Sequence, residues 1–222
     1  MKQGPDLILH AEQAAYLDRT VPARDPLLAR MEAFAAEHDH PISDPEVGNL
    51  LTAVTRMRAP RRIVEVGANI GYGAIVLGRA ALERDPSAKV VSIEKNPETC
   101  AVARRYVEEA GLSASVEVVL GDALEVLAGL EGTVDLAYLD CVKEDYPRYL
   151  DLLLPRLARG SVVVADNVLW KGLVAKPDSE VPAKEMPRVA ALREHNRRIV
   201  APPFAGVILP LGDGIALATY QG

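Results

Sequence analysis

Short apolar runs alternate with longer helical periods from Arg62 onward, and little but a parallel α/β sheet absorbs that order. Strands are expected over Arg62 to Val66, Lys89 to Ile93, Val116 to Val119, Val134 to Leu139 and Ser161 to Ala165. Helices are expected over Gly71 to Arg84, Pro97 to Ala110, Ala123 to Gly129 and Tyr146 to Leu157. This pattern predicts a largely parallel sheet with helices on both faces. Two final strands, Gly206 to Leu209 and Gly214 to Thr219, flank a hairpin-like link. Asp213-Gly214 is a strong turn signal, so the sheet is expected to end antiparallel. Upstream, residues 6–20 and 24–38 read as amphipathic helices, the second carrying Leu27, Leu28, Met31 and Phe34 near helical spacing. Residues 39–45 form a turn-rich link, and Pro45 to Arg58 a further helix with Val47, Leu50, Leu51 and Val54 on one face. Residues 171–187 mix Lys, Pro, Ser and Glu and read as a loop, either a substrate lid or a mobile connection.

Composition narrows the functional classes. The 222 residues are 49% hydrophobic and 25% charged, enough for one domain over 1–222 with a helical N-terminal extension over about residues 1–40. No apolar stretch reaches membrane-spanning length, and Met1 to Asp6 lacks the pattern of a secretory signal. The net charge is -6 and no basic stripe occurs, which argues against nucleic acid as a partner. Cys100 and Cys141 make no disulfide framework, so free thiols in a cytoplasmic protein are expected. His10, His38, His40 and His195 show no mutual ligand spacing, and His38 and His40 are expected at the surface.

Strand ends carry the chemistry. Parallel strands aim their C-terminal ends at one crevice, where ligands bind. If the strands ending at Leu139 and Ala165 are neighbours, Asp140, Asp166 and Asn167 converge there. Two carboxylates and an amide oxygen suit a magnesium-like or calcium-like ion and not zinc. Lys143 lies one helical turn past Asp140. Taken singly, each acid reads equally well as a helix N-cap. After the first strand, Glu65-Val66-Gly67-Ala68-Asn69-Ile70-Gly71-Tyr72-Gly73 spaces its glycines as neither a dinucleotide fingerprint nor a P-loop. Glu94 ends the second strand, where an acid accepts hydrogen bonds from ribose hydroxyls. Gly121-Asp122-Ala123 follows the third strand, where Asp122 meets an adenine or caps a helix. The layout fits a nucleoside without phosphate.

As a set, Glu65 to Gly73, Glu94, Gly121-Asp122-Ala123, Asp140-x-x-Lys143 and Asp166-Asn167 resemble the metal-dependent class I S-adenosylmethionine O-methyltransferases, which include catechol and caffeoyl-coenzyme-A O-methyltransferases. The resemblance covers about residues 40–220. It implies a Rossmann-like, seven-stranded, mostly parallel sheet with an antiparallel last strand. It implies adenosylmethionine held by Ser43, Glu65, Gly67, Ala68, Tyr72, Gly73, Glu94, Lys95, Asp122, Ala123 and Asp140. Asp140, Asp166 and Asn167 would hold magnesium, with manganese or calcium as substitutes. Lys143 would be the general base, and Lys143, Asn167 and Trp170 would face a small catechol-type phenol. The early apolar-faced helices offer a surface for a homodimer.

The chemistry is coherent on its own terms. A phenol has a pKa of about 10 and is a poor nucleophile at neutral pH. A divalent ion stabilises its phenolate, a nearby amine takes the proton, and proximity does much of the rest. Three departures from the family stand out. Cys141-Val142 replaces the more usual Ala-Asp after the strand-four acid, Gly73 stands where a serine often contacts the cofactor, and aligning Asp213-Gly214 puts Val207 where animal catechol enzymes hold a glutamate against the second hydroxyl. A nicotinamide-dependent oxidoreductase is the runner-up, disfavoured by the glycine spacing and the lack of a Tyr-x-x-x-Lys relay. A nucleic-acid N-methyltransferase would need an Asn/Asp-Pro-Pro-aromatic motif that this chain lacks at strand four.

Overall fold

The computed structural model describes residues 11–22 and 25–222. The expected helix over residues 6–20 is described only as α1, Ala11–Thr20, and His10 and the first six residues lie outside the described residues. Helix α2 (Pro26–Glu37) begins where the Asp25 carboxylate accepts from the Leu27 and Leu28 N–H groups, with Pro26 in the first turn. Helix α3 spans Pro45–Arg58.

The alternating part runs β1 (Arg62–Val66), α4 (Tyr72–Leu82), β2 (Lys89–Glu94), α5 (Pro97–Glu109), β3 (Val116–Leu120), α6 (Ala123–Ala128), β4 (Val134–Leu139), α7 (Tyr146–Leu153) and β5 (Leu157–Ala165). Helix α8 (Met186–Ile199) and the hairpin β6 (Phe204–Leu209) and β7 (Ile215–Tyr220) complete the chain. The sheet has seven strands in the order β3-β2-β1-β4-β5-β7-β6. The first five pair in parallel, and β7 is antiparallel to both β5 and β6. Among the described residues no helix is long and apolar enough to cross a membrane.

Two expectations about elements needed correction. Strand β5 starts at Leu157, four residues before the expected start, because Pro155 cuts the preceding helix short and Leu157 pairs with Val134 across an irregular register. Helix α8 overlaps the segment read as a loop only at Met186 and Pro187, and over residues 188–199 no element was expected. Its buried stripe is Val189, Leu192, His195, Asn196 and Ile199, and two of those five are polar. A hydrophobic period of 3.6 is therefore not visible there. The Asn196 side chain instead donates to the Val168 carbonyl at 2.8 Å.

Register positions the strand ends. Val66 pairs with Leu139, and Leu139 with Ala165. Gly67, Asp140 and Asp166 are therefore the first residues past three adjacent strand ends. The ladder continues through them: Asp140 N–H donates to Val66 O at 2.9 Å and Asp166 N–H to Leu139 O at 2.9 Å. The order reverses between β1 and β4, which opens the crevice at this point.

Candidate active site

A cavity of about 750 Å³ opens over those strand ends. Every one of the fifteen residues singled out above for cofactor, cation, base or acceptor lines it: Ser43, Glu65, Gly67, Ala68, Tyr72, Gly73, Glu94, Lys95, Asp122, Ala123, Asp140, Lys143, Asp166, Asn167 and Trp170. The size fits a small-molecule site.

At the glycine loop, backbone approach is the point. Gly67 has φ +101°, and a Cβ there would lie 2.1 Å from the Asp140 carbonyl oxygen. Only glycine lets β1 and β4 end so close together. A Cβ at Gly73 would lie 2.0 Å from Glu65 Oε1, so the missing side chain makes room for the Glu65 carboxyl. Glu65 is 1% exposed and accepts from the Ser92 hydroxyl. Burial pushes its pKa up to about 8; the Ser92 bond opposes this, and the charges of Asp140 and Glu94 add to it. Tyr72 borders the cavity, and its hydroxyl donates to Glu32 on α2 at 2.7 Å.

Glu94 closes β2 and is oriented by two backbone donors. Asn69 N–H reaches Oε2 at 2.8 Å and Asn96 N–H reaches Oε1 at 2.9 Å. Each carboxylate oxygen keeps acceptor capacity for a hydroxyl. Asp122 caps α6 through Leu124 N–H at 2.8 Å, one of its two readings, and it also lines the cavity.

At the other end, Asp140, Asp166, Asn167 and Lys143 come together. Lys143 Nζ lies 2.8 Å from Asp140 Oδ1 and is one turn along, in a 3-10 turn over Lys143–Asp145. Asp166 accepts from Asn167 N–H at 2.6 Å and from the Tyr138 hydroxyl at 3.2 Å. Burial, then the charge of Asp140, push the Asp166 carboxyl above the usual carboxylate range; the Asn167 N–H, Lys143 and Tyr138 oppose the rise. Two mutually repelling carboxylates beside an amide oxygen form a donor set that a hard divalent cation would relieve. Among the described residues no group of three His, Cys, Asp or Glu side chains is built for a metal, so the third protein donor would be the Asn167 amide. Asn167 has φ +55°, a conformation Asn tolerates better than most residues.

Trp170 walls the cavity and is itself clamped. Its Nε1–H donates to Glu185 at 2.9 Å, and the Arg188 guanidinium stacks 4.5 Å from its ring centroid. Arg188 also pairs with Glu144 at 2.9 Å and Glu185 at 2.7 Å. Arg188 lines the cavity and was not foreseen, because the helix that carries it was not. His40 also lines the cavity, stacked 5.6 Å from Phe34, where an exposed residue was expected. Cys141 borders the cavity, and burial pushes its thiol up to about 12, which favours the neutral thiol. Val207 is a correction. It sits on edge strand β6, pairs with Leu217, is 46% exposed and is not among the cavity-lining residues. Counting back from Asp213-Gly214 misplaced it, because the register of β6 turns that side chain out to solvent.

Comparison with known proteins agrees with this geometry. A family model described as O-methyltransferase matches residues 22–221. The chain is 32% identical over 210 residues to a catechol O-methyltransferase of Mycobacterium tuberculosis, covering 93% of this chain and 94% of that one. It is 32% identical over 216 residues to tricin synthase 1 of Oryza sativa subsp. japonica, covering 90% and 84%. The crystal structure of the O-methyltransferase TomG from Streptomyces achromogenes, in complex with SAM, superposes with a TM-score of 0.82 at 28% identity, covering 94% of this chain and 95% of that one. The seven-stranded sheet, the crevice at its strand ends and the match over nearly the whole length lead to one conclusion: the chain belongs to the O-methyltransferase family.

Proposed function

We propose that this O-methyltransferase moves the methyl group of S-adenosylmethionine to one hydroxyl of a catechol-type phenol, with a divalent cation, magnesium above all, and Lys143 activating the acceptor. The observation that carries the reading is one cavity lined at one end by the glycine loop and Glu94 and at the other by Asp140, Lys143, Asp166 and Asn167. Support comes from relatives named as catechol O-methyltransferases in Mycobacterium tuberculosis and Niastella koreensis. It also comes from structural neighbours solved with SAM and with SAH.

When bound, adenosylmethionine supplies an electrophilic methyl on a sulfonium, and a divalent cation held by Asp140, Asp166 and Asn167 supplies charge that stabilises a phenolate. The chain's own residues do the rest. Glu94 accepts hydrogen bonds from the ribose hydroxyls while Asn69 and Asn96 hold its carboxylate in place. Backbone at Gly67 and Ala68 lines the amino-acid end of the cofactor, and Asp122-Ala123 lines the adenine end. Lys143 Nζ, held beside Asp140, would first release the proton it carries in that ion pair to solvent and then, as the neutral amine, take the phenolic proton. Trp170, fixed by Glu185 and Arg188, forms a flat apolar wall that orients an aromatic ring and keeps water from the methyl.

Labelled adenosylmethionine tests the reading against a panel of catechols, flavonoids and caffeoyl thioesters, in chelator and with magnesium or manganese restored. Methyl transfer to vicinal dihydroxy acceptors that chelator abolishes and magnesium restores is the expected result. Undiminished transfer in excess chelator would remove the cation from the mechanism. Transfer to none of the panel would remove the acceptor class.

A further inference from the structure

Tyr138 is the penultimate residue of β4, 1% exposed, between the strands that carry Glu65 and Asp166. A buried phenol hydroxyl needs a partner, and this one has two. It donates to Asp166 Oδ2 at 3.2 Å and lies 2.8 Å from Ser43 Oγ. A tyrosine hydroxyl has one proton, so when it donates to Asp166 the Ser43 hydroxyl donates to it. The result is a buried relay, Ser43 O–H to Tyr138 O–H to Asp166 Oδ2. The other Asp166 oxygen, Oδ1, accepts from Asn167 N–H at 2.6 Å. Its backbone carbonyl shares the one proton of the Tyr146 hydroxyl with Leu139 O, each at 3.0 Å. Both carboxylate oxygens and the main chain of Asp166 are thus held by named donors. Phenylalanine at 138 would fill the same space and leave Oδ2 free to turn.

We propose that Tyr138, with its hydroxyl oriented by Ser43, is a positioning residue that fixes the direction in which Asp166 faces a divalent cation and so sets the affinity of the site. This rests on the reading of Asp140, Asp166 and Asn167 as the cation's ligands. Hydrogen-bond partners behind a metal ligand commonly change affinity about 10–100-fold. Ser43 belongs to the segment before α3 that borders the glycine loop, where the Asn69 side chain donates to Pro41 O at 2.6 Å. The relay therefore ties that segment to the cation end of the cavity.

The test is a titration of the full chain with Mn²⁺, followed by the paramagnetic signal of free ion and without acceptor or cofactor. It uses wild type, Tyr138→Phe, Ser43→Ala and the double variant. Tyr138→Phe should weaken Mn²⁺ binding about 10–100-fold while adenosylhomocysteine affinity and the thermal midpoint stay close to wild type. Ser43→Ala should weaken it less, and in the Tyr138→Phe background it should add nothing, because a relay is lost once. Tyr138→Phe binding Mn²⁺ within twofold of wild type overturns the inference, as does a Ser43→Ala effect that adds in full. Should Tyr138→Phe misfold, Ser43→Ala carries the test alone, and unchanged Mn²⁺ affinity overturns the relay. Wild type that binds no Mn²⁺ refutes the cation reading itself and the inference with it, an outcome distinct from equal binding by wild type and variant.

Discussion

Lys143 and Asp140 form a buried ion pair, Nζ to Oδ1 2.8 Å, with side chains only 8% and 19% exposed. The pair puts the lysine beside Asp140, near Asp166, and one turn from the end of β4. Removing the amine leaves Asp140 without its counter-charge, so Lys143→Ala should not lower cation affinity. It should lower kcat by roughly 100–10,000-fold, the range for a lost general base. Glu94→Ala should do the opposite, weakening adenosylhomocysteine binding and sparing the chemistry at saturating cofactor. Steady-state kinetics and calorimetry on both variants separate the roles; near-native turnover by Lys143→Ala at pH 7 ends its candidacy as base.

Histidine 195 makes stability depend on pH. It is fully buried on α8, packs edge-on against Tyr146 at 5.3 Å, and has its Nε2 without a hydrogen-bond partner. Burial lowers its pKa from 6.5 to about 4; the Asn196 bond opposes this and the charge of Arg198 adds to it. The folded state thus holds the ring neutral where the unfolded chain protonates it. Its contribution is present above pH 6.5 and is lost as pH falls from there to about 4, by about 3 kcal/mol in all. Urea midpoints between pH 7.5 and 4.5 should fall more steeply for wild type than for His195→Phe. Parallel slopes would mean that His195 is not held neutral.

Gly67 is the tightest backbone contact of the site. Gly67→Ala meets both a φ of +101° and an oxygen 2.1 Å from the new Cβ. The clash is with backbone, which cannot swing aside. A loss of about 2 kcal/mol or more is expected, together with weakened cofactor binding. Gly160→Ala is the control, since it has φ +85° and nothing within 4 Å, and it isolates the cost of φ alone. Chemical denaturation of the pair reads the difference, and equal losses would show that β4 yields at Asp140.

Regiochemistry should ignore Val207. The side chain lies on the outer edge of the sheet and outside the cavity. Val207→Glu should leave the ratio of meta to para products unchanged for every acceptor. Arg188→Ala, by contrast, removes the stack that braces Trp170 and should change that ratio. Selectivity resting on apolar contacts is worth only about 1–3 kcal/mol, so both products should be detectable for some acceptor. Chromatography of the products decides between the two positions.

Much of this protein is legible in one dimension. Strand β4 runs over Val134–Leu139 as its mostly apolar run predicts, because a strand covered on both faces is mostly apolar, and Asp135 is its half-buried exception. The acids, glycines and Lys143 sit at or near strand ends, so knowing where each strand stops pointed to much of the cavity lining, while Ser43, Tyr72, Lys95 and Trp170 came only with the family resemblance. Pairing across space was not legible. That the Tyr138 hydroxyl meets both Ser43, 95 positions away, and Asp166, 28 away, depends on how α3 packs on the sheet. Helix α8 hid because its buried face includes His195 and Asn196, whose polarity is tolerated only through contacts with Tyr146 and Val168. Its Arg188 reaches the cavity only once that helix has docked. Val207 was misplaced because position along a hairpin fixes a side chain's face only after the register is known, and a shift of one residue turns it over. Local pattern, strand-end chemistry and the motif resemblance thus pointed to the family and to residues that line the cavity. Long-range packing alone decided which donors orient Asp166 and what clamps Trp170 against the cavity, because those contacts join segments that no sequence period connects.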